Sequence, residues 1–282
     1  MIAVKRLGFA YNPTSDAAVE LRERAAGWCA VRRIDHWASP AAEIDRLRAG
    51  LPATDVLVVL GGDGTFLRAA SAVVETGTPI LGINVGKIGF LSKVEADGLD
   101  RVLGQLLEGA YRVEERMALE GRIRRAGAAG AGERHVALND IVVARGSLAR
   151  VCRLDVSIDE SHLATFVADG LVVASPTGST GYSFSAGGPI VAPESRNLIV
   201  TPIAGYLSAI RSIVVEPTRV VRCRVQEAYE ALVSVDGRED VPIAVGDLVE
   251  VRAMDAPVRF VEPDGASPFW DLVRRKVELL PS

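Results

Sequence analysis

With 282 residues, 49% hydrophobic and 24% charged, the chain can bury one large core or two of ordinary size, which excludes the disordered and fibrous classes. Its formal net charge of -4 gives no global positive field with which to hold a nucleic-acid backbone. Cys29, Cys152 and Cys223 are odd in number and widely spaced, which argues against a disulfide framework or a zinc site and predicts small buried thiols.

In chain order, residues 2–11 predict a strand and not a signal peptide, and 16–28 a helix. Ser39 and Pro40 then read as the N-cap and first position of a helix over 40–49. The run Val56-Leu57-Val58-Val59-Leu60 lacks polar alternation, as a parallel strand covered on both faces does. Gly61-Gly62-Asp63-Gly64-Thr65 ends it, and Phe66, Leu67, Ala70, Val73 and Val74 recur at helical spacing. Pro79 precedes a strand through Ile83, and Asp97 and Gly109 bracket one more helix as its caps.

Beyond Tyr111 strands predominate: 111–124, 134–145, 150–159, 162–174 and several between 213 and 261. Residues 126–132 form a hairpin tip and Asp159-Glu160-Ser161 a tighter turn. Arg122, Arg124, Arg125 and Arg134 flank the tip; a phosphate patch is one reading, and ordinary solvated charge is the favoured one. Ser267 to Val273 starts a terminal helix whose apolar face suits docking on the first domain. The expected organisation is a doubly wound α/β domain over 1–112, with a helix over 266–282 packing back on it, and a β-rich domain over 113–265. No apolar run approaches the roughly 20 residues of a membrane span, so a reducing cytoplasm is the expected location.

Chemistry concentrates in two glycine-rich segments. At the carboxyl end of a buried strand, Gly61, Gly62 and Gly64 let backbone amides approach phosphate oxygens, and the following helix offers its positive N-terminus to the same anion. Asp63 is out of place there unless a metal neutralises it or it accepts a proton from an attacking hydroxyl; the plainer alternative is a turn or cap residue. No Gly-Lys-Ser/Thr follows, and the spacing is not that of the dinucleotide fingerprint. The second segment runs from Asp169 to Pro189 and packs Ser175, Thr177, Ser179 and Thr180 among glycines, a dense set of donors for a sugar or phosphate, with Asp169 and Tyr182 adding an acceptor and a ring. His36, His135 and His162 have no partner spacing and read as surface or core residues.

Taken together these segments resemble the NAD kinase family. The motifs are Gly61-Gly62-Asp63-Gly64-Thr65, Gly82-Ile83-Asn84 with Gly89-Phe90-Leu91, Leu138-Asn139-Asp140, Asp169-Gly170, Pro176-Thr177-Gly178-Ser179-Thr180 and Ser185-Ala186-Gly187-Gly188-Pro189-Ile190. The first motif also occurs in diacylglycerol and sphingosine kinases and alone indicates only phosphoryl transfer; the long second segment is more specific. The resemblance implies an α/β N-terminal domain, an all-β sandwich-like C-terminal domain, ATP or polyphosphate as donor with Mg²⁺ or another divalent cation, NAD as acceptor, and a homodimer or homotetramer. It implies that Asp63 is the general base toward the adenosine 2′-hydroxyl and that Gly61, Gly62, Gly64 and Thr65 bind donor phosphates. It assigns the acceptor nucleotide to Asn139, Asp140, Arg150, Asp169, Thr180, Gly181, Tyr182, Ser183, Ser185, Asp236 and Arg238. No nucleic-acid or membrane partner is expected.

Departures from the family pattern cluster on the acceptor side. Asp140 stands where Glu is usual, Gly181 where Ala is usual and Arg238 where Gln is frequent, and Gly205, Tyr206 and Ser212 replace an expected Pro-His and a later Pro. Asp for Glu retracts a carboxylate by one methylene, and Arg for Gln puts a fixed cation where an amide could donate and accept. A paralogous kinase acting on another nucleoside, nucleotide or lipid hydroxyl is therefore the second reading, and a catalytically idle dinucleotide sensor the third. Arg150 and Arg238 either favour a more phosphorylated acceptor or serve no ligand.

Overall fold

In the computed structural model, which describes residues 4–86, 89–147, 150–206 and 210–278, the chain opens with β1 (Arg6–Tyr11) and α1 (Asp16–Arg32). Ser15 caps α1 by accepting the Ala18 N–H, and Arg33 closes it in the left-handed conformation. β2 (Asp35–Pro40) then pairs in parallel with β1, placing Ser39 opposite Ala10 and Pro40 opposite Tyr11. The expected Ser39 cap and Pro40 first turn are thus the end of a strand. Because β2 lies at the edge of its sheet, the missing Pro40 N–H costs no ladder bond. The helix itself, α2, covers Ile44–Gly50.

Next come β3 (Val56–Leu60), buried throughout as its uninterrupted apolar sequence predicts, and α3 (Asp63–Val73). β4 (Ile80–Asn84), the short β5 (Val94–Glu95) and α4 (Leu99–Glu108) follow, with Gly109 closing α4 at φ 72°. Gly98, not Asp97, is the residue preceding α4; Asp97 sits in a 3-10 turn before it. β6 (Tyr111–Arg116) ends this first segment.

The expected strand over 111–124 breaks after β6. Met117 and Ala118 are buried and lead into β7 (Leu119–Arg124), which belongs to a different sheet. Similar breaks divide 134–145 into β8 (Glu133–Ala137) and β9 (Asp140–Arg145), and, after β10 (Cys152–Ile158), divide 162–174 into β11 (Ser161–Ala168) and β12 (Gly170–Ala174). In each case the chain leaves one sheet for another, a change of partners that apolar alternation does not record. The short α5 (Tyr182–Ser185) follows β12, and β13 (Leu198–Ile203), β14 (Ile213–Val215), β15 (Val221–Glu227), β16 (Ala231–Val235), β17 (Glu239–Ile243) and β18 (Leu248–Ala253) complete this region.

Two six-stranded sheets result, ordered β11-β10-β15-β18-β7-β8 and β14-β13-β12-β9-β16-β17. Their facing side chains, including Leu154, Phe166 and Val225 from the first and Ile141, Leu171 and Val233 from the second, form one apolar core, so the unit is a β-sandwich. On the outer face of the second sheet, Val142, Val172, Ala174 and Ile199 are covered by Ala186 and Val191 of the segment after β12. Cys152 and Cys223 are buried in the sandwich and Cys29 in α1; all three are free thiols.

The chain then returns as β19 (Val258–Pro263) and α6 (Phe269–Glu278). β19 does not extend the sandwich, as a domain over 113–265 would have it, but enters the first sheet, which runs β2-β1-β3-β4-β19-β6 with β5 beside β4. Phe260 explains the placement: it lies opposite Ile80, and its ring meets Phe66 of α3 at 5.0 Å. The two compact units are accordingly 1–115 with 257–282, and 116–256. The first is a doubly wound α/β unit whose core joins Leu7, Phe9, Leu60, Ile83 and the α4 residues Leu99, Val102, Leu103 and Leu106. Leu103 is fully buried there, so Leu103→Ala should cost about 2–5 kcal/mol in urea unfolding, against under about 0.5 kcal/mol for a surface change.

Candidate active site

In the α/β unit the glycine turn is built by close approach. Gly61 donates its N–H to the Ile83 carbonyl, and a Cβ on it would stand 2.6 Å from the Thr65 hydroxyl. Thr65, expected among the donor-phosphate residues, is itself buried against that spot, so these two residues shape the turn. Gly62 and Gly64 instead have open space where a side chain would be, and Gly64 is exposed. Gly62 is the N-cap of α3 and no side chain caps the helix, which leaves its positive end available to an anion beside those open glycines.

Asp63, the first residue of α3, sends its carboxylate across the turn. Oδ2 accepts the Phe90 N–H at 3.1 Å and Oδ1 the Leu91 N–H at 3.3 Å. Gly89 makes this possible, because a Cβ there would overlap the Asp63 carboxylate. Phe90 is in turn flanked by α6, with the Phe269 ring at 6.1 Å and the Lys276 ammonium 4.9 Å over its own ring. Further along the segment, Lys93 forms a buried ion pair with Glu262 of β19 at 2.8 Å. Sequence motifs carried Gly89-Phe90-Leu91 without a role; their contact with Asp63 spans 27 residues and has no local pattern.

In the β-sandwich unit, the Leu138-Asn139 step between β8 and β9 exposes three amides. The Asp236 carboxylate accepts all of them, from Leu138 at 3.0 Å, Asn139 at 2.8 Å and Asp140 at 3.1 Å. Asp236 and Gly237 both have positive φ, 52° and 61°, which turns β16 tightly into β17 and aims this carboxylate back at the step. Arg238 lies beside Asp236, 3.5 Å away, and donates to the Val136 carbonyl.

A cleft of ≈ 390 Å³ opens on this face, lined by Asn139, Asp140, Tyr182, Ser234, Asp236 and Asp240 over an apolar floor of Val142 and Ala144. The Asn139 Oδ1 is buried there with no hydrogen-bond partner. Gly178 lies so close to Asn139 that a Cβ would overlap its carbonyl, which locks the second glycine segment onto the step. A methyl on Gly181 would stand 3.7 Å from both the Asn139 amide nitrogen and the Asp140 carboxylate, so the glycine leaves room at the cleft.

Of the expected acceptor residues, the cleft therefore unites Asn139, Asp140, Tyr182 and Asp236, with Gly181 beside them. Thr180 donates to the Thr177 carbonyl at 3.4 Å, Ser183 is buried next to Thr201, and Ser185 is exposed. Asp169 is held by a two-point ion pair with Arg145 at 2.9 and 3.0 Å, a partner that only the β9–β12 register reveals. Arg150 lies over the Tyr229 ring at 4.8 Å. The two arginines suspected of favouring extra phosphate are thus both engaged by the protein.

Burial, and secondarily the charge of Asp236, push the Asp140 carboxyl up from 3.8 to about 7. Burial also raises Asp236, opposed by the Leu138 N–H, by Arg238 and by the other two amides. For Asp140 the folded form binds its proton more tightly than the unfolded chain. Its contribution is complete below 3.8 and is lost as pH rises through about 7. Asp140→Asn should therefore gain stability relative to the parent across that interval in chemical denaturation; a difference independent of pH would contradict this.

A family model described as ATP-NAD kinase N-terminal domain matches residues 47–111, and one described as ATP-NAD kinase C-terminal domain matches 138–263. An NAD kinase of Heliobacterium modesticaldum is 38% identical over 284 residues, spanning 96% of this chain and 98% of its own. One of Moorella thermoacetica is 44% identical over 227 residues, 80% of this chain and 72% of its own. The solved yeast NADH kinase complexed with NADH superposes with a TM-score of 0.84 at 25% identity, over 99% of this chain and 88% of that one. An Archaeoglobus fulgidus NAD kinase in complex with ATP gives 0.78 at 25%, over 98% and 100%. With both family models matched and a relative aligned end to end, the chain belongs to the NAD kinase family.

Proposed function

We propose that this protein transfers the γ-phosphoryl group of ATP to the 2′-hydroxyl of the adenosine ribose of NAD, giving NADP and ADP, with Asp63 accepting the hydroxyl proton. The observation that carries this is the Asp63 carboxylate, fixed through both oxygens to the Phe90 and Leu91 amides at the head of an uncapped helix. Each carboxylate oxygen keeps a further lone pair, so a proton can be accepted without dismantling the turn. The open Gly62 and Gly64 suit phosphate oxygens, and the amides of the turn offer fixed dipoles where charge develops.

On the acceptor side, the unpartnered Asn139 oxygen suits a donor group of the nucleotide, and the exposed face of Tyr182 suits its rings. Arg238 is turned onto Asp236 and Val136, and Arg150 onto Tyr229, so neither of these two arginines calls for a third phosphate, which favours a dinucleotide such as NAD or NADH. ATP is the donor in this reading, with polyphosphate as its alternative.

Among the described residues no three His, Cys, Asp or Glu side chains gather as a metal cage. That donor set fits Mg²⁺ carried mainly on substrate phosphates, with Asp63 the carboxylate nearest the glycine turn. Such an ion would neutralise phosphate charge. Homo-oligomeric assembly and residence in the cytoplasm belong to the same proposal; among the described residues no helix is long and apolar enough to cross a membrane.

The test is direct: purified protein with ATP, Mg²⁺ and NAD should form NADP, and folded protein that makes none refutes the assignment. A panel of acceptor hydroxyls with labelled ATP should favour NAD or NADH, whereas preference for a nucleoside or lipid would install the paralogous reading. Asp63→Asn should lower kcat about 10²–10⁴-fold with KM for NAD little changed. Gly89→Ala, which places a methyl against the carboxylate, should lower kcat about 10-fold or more while the protein stays folded; an unchanged rate would separate the Gly89 approach from catalysis.

A further inference from the structure

We propose that Lys93, through its ion pair with Glu262, is a positioning residue for the phosphoryl transfer: it sets the place of the Phe90 and Leu91 amides that hold the Asp63 carboxylate. This role presupposes Asp63 as the base. Residues 89–93 belong to neither helix nor strand, so point contacts and not a hydrogen-bonded ladder fix these amides. Phe90 leans on α6 through Phe269. Ser92 is fully buried over β4, where a Cβ on Gly82 would stand 2.6 Å from the Ser92 hydroxyl and 2.9 Å from the Phe66 ring. Gly82, the first residue of the Gly82-Ile83-Asn84 motif, thereby makes room at one point for the segment and for α3. Lys93 adds a charged anchor, its ammonium 2.8 Å from the Glu262 carboxylate, with the two side chains 6% and 5% exposed.

Two features separate this pair from an incidental one. β19 reaches both sides of the Asp63 contact. Phe260 and Glu262 are alternate residues of that strand and so share one of its faces. Phe260 packs on Phe66 of α3, the helix that Asp63 begins, with ring centroids 5.0 Å apart, while Glu262 holds Lys93, just beyond Leu91. One strand is thus the common reference for the carboxylate and for its amide donors. The second feature is energetic. A buried ion pair adds little net stability over apolar side chains of similar volume, and its use here is to hold one geometry. With its ammonium turned inward onto Glu262, Lys93 is not presented to donor phosphates, so it acts through the segment that it anchors. Transfer is sensitive to such placement, because a displacement of about 1 Å can cost about 10²-fold in rate.

A double-mutant cycle on the full chain, assayed with ATP, Mg²⁺ and NAD, tests this role. Lys93→Met keeps most of the side chain's length and removes its charge. It should lower kcat about 10-fold or more and leave KM for NAD within about 2-fold. In ¹H–¹⁵N spectra of that variant the Phe90 and Leu91 amide resonances should move while those of Asn139 and Asp140 stay. In the Asp63→Asn background Lys93→Met should lower kcat no further, because the carboxylate through which Lys93 acts is gone. A second loss of about 10-fold in that background would assign Lys93 to general support of the fold and overturn the proposal, as would parental kcat in folded Lys93→Met. Should Lys93→Met fail to fold, Lys93→Gln, which can still donate to Glu262, should lower kcat at least about 3-fold in the parent and not at all in Asp63→Asn. Equal losses in the two backgrounds would again overturn it. Full activity in Asp63→Asn would remove the base and the positioning role together, an outcome distinct from loss of the Lys93 effect alone.

Discussion

The proposed chemistry depends on one short contact. A carboxylate at the head of a helix reaches a neighbouring segment whose two amides hold it, and a glycine makes way for it. A helix N-terminus attracts anions but a carboxylate in the same turn repels them, so Asp63 has a place here because the Phe90 and Leu91 amides hold it and the Gly62 and Gly64 side remains open. The rest of the α/β unit serves that geometry. β3 delivers the turn at its carboxyl end, β4 receives the Gly61 amide, and β19 and α6 return from the far end of the chain to brace the segment at Lys93 and Phe90. The late return of the chain therefore joins the sheet between β4 and β6 and supports the residues that hold the Asp63 carboxylate.

A second carboxylate plays a comparable part in the sandwich. Asp236 satisfies three amides where the chain crosses from one sheet to the other, and in doing so fixes Asn139 and Asp140 at the mouth of the cleft. Leaving those amides without acceptors would cost about 1–3 kcal/mol each, so the Asp236-Gly237 turn is required by the sandwich as much as by any ligand. The same architecture explains why Asp140 sits beside another carboxylate in a buried place, and why its proton is held so firmly. The chain belongs to the NAD kinase family, and both carboxylate clusters fall within the segments that its two domain models match.

Much of this was legible in the residues. β3 shows its double-sided burial in five apolar positions, and Gly61 to Thr65 mark the turn from that strand into a helix. What escaped has a common cause, namely dependence on a partner distant in the chain. Ser39-Pro40 looks like a helix start because nothing nearby reveals that β1 lies alongside. The long runs over 111–124, 134–145 and 162–174 alternate smoothly although each changes sheets midway. The Arg145 partner of Asp169 across the strand pair, and the close approach of Gly61 to Thr65, likewise leave no local pattern. Arg252 and Arg222 join the arginines of the hairpin only once β18 and β15 are laid next to β7.

The contact at the glycine turn can be observed in solution without substrate. In ¹H–¹⁵N spectra of the protein and its Asp63→Asn variant, the Phe90 and Leu91 amide resonances should be shifted downfield in the parent and move upfield together in the variant, with the Asn139 and Asp140 amides unmoved as the control. Phe90 and Leu91 resonances that coincide in the two proteins would contradict the account, since the carboxylate would then be held by something else.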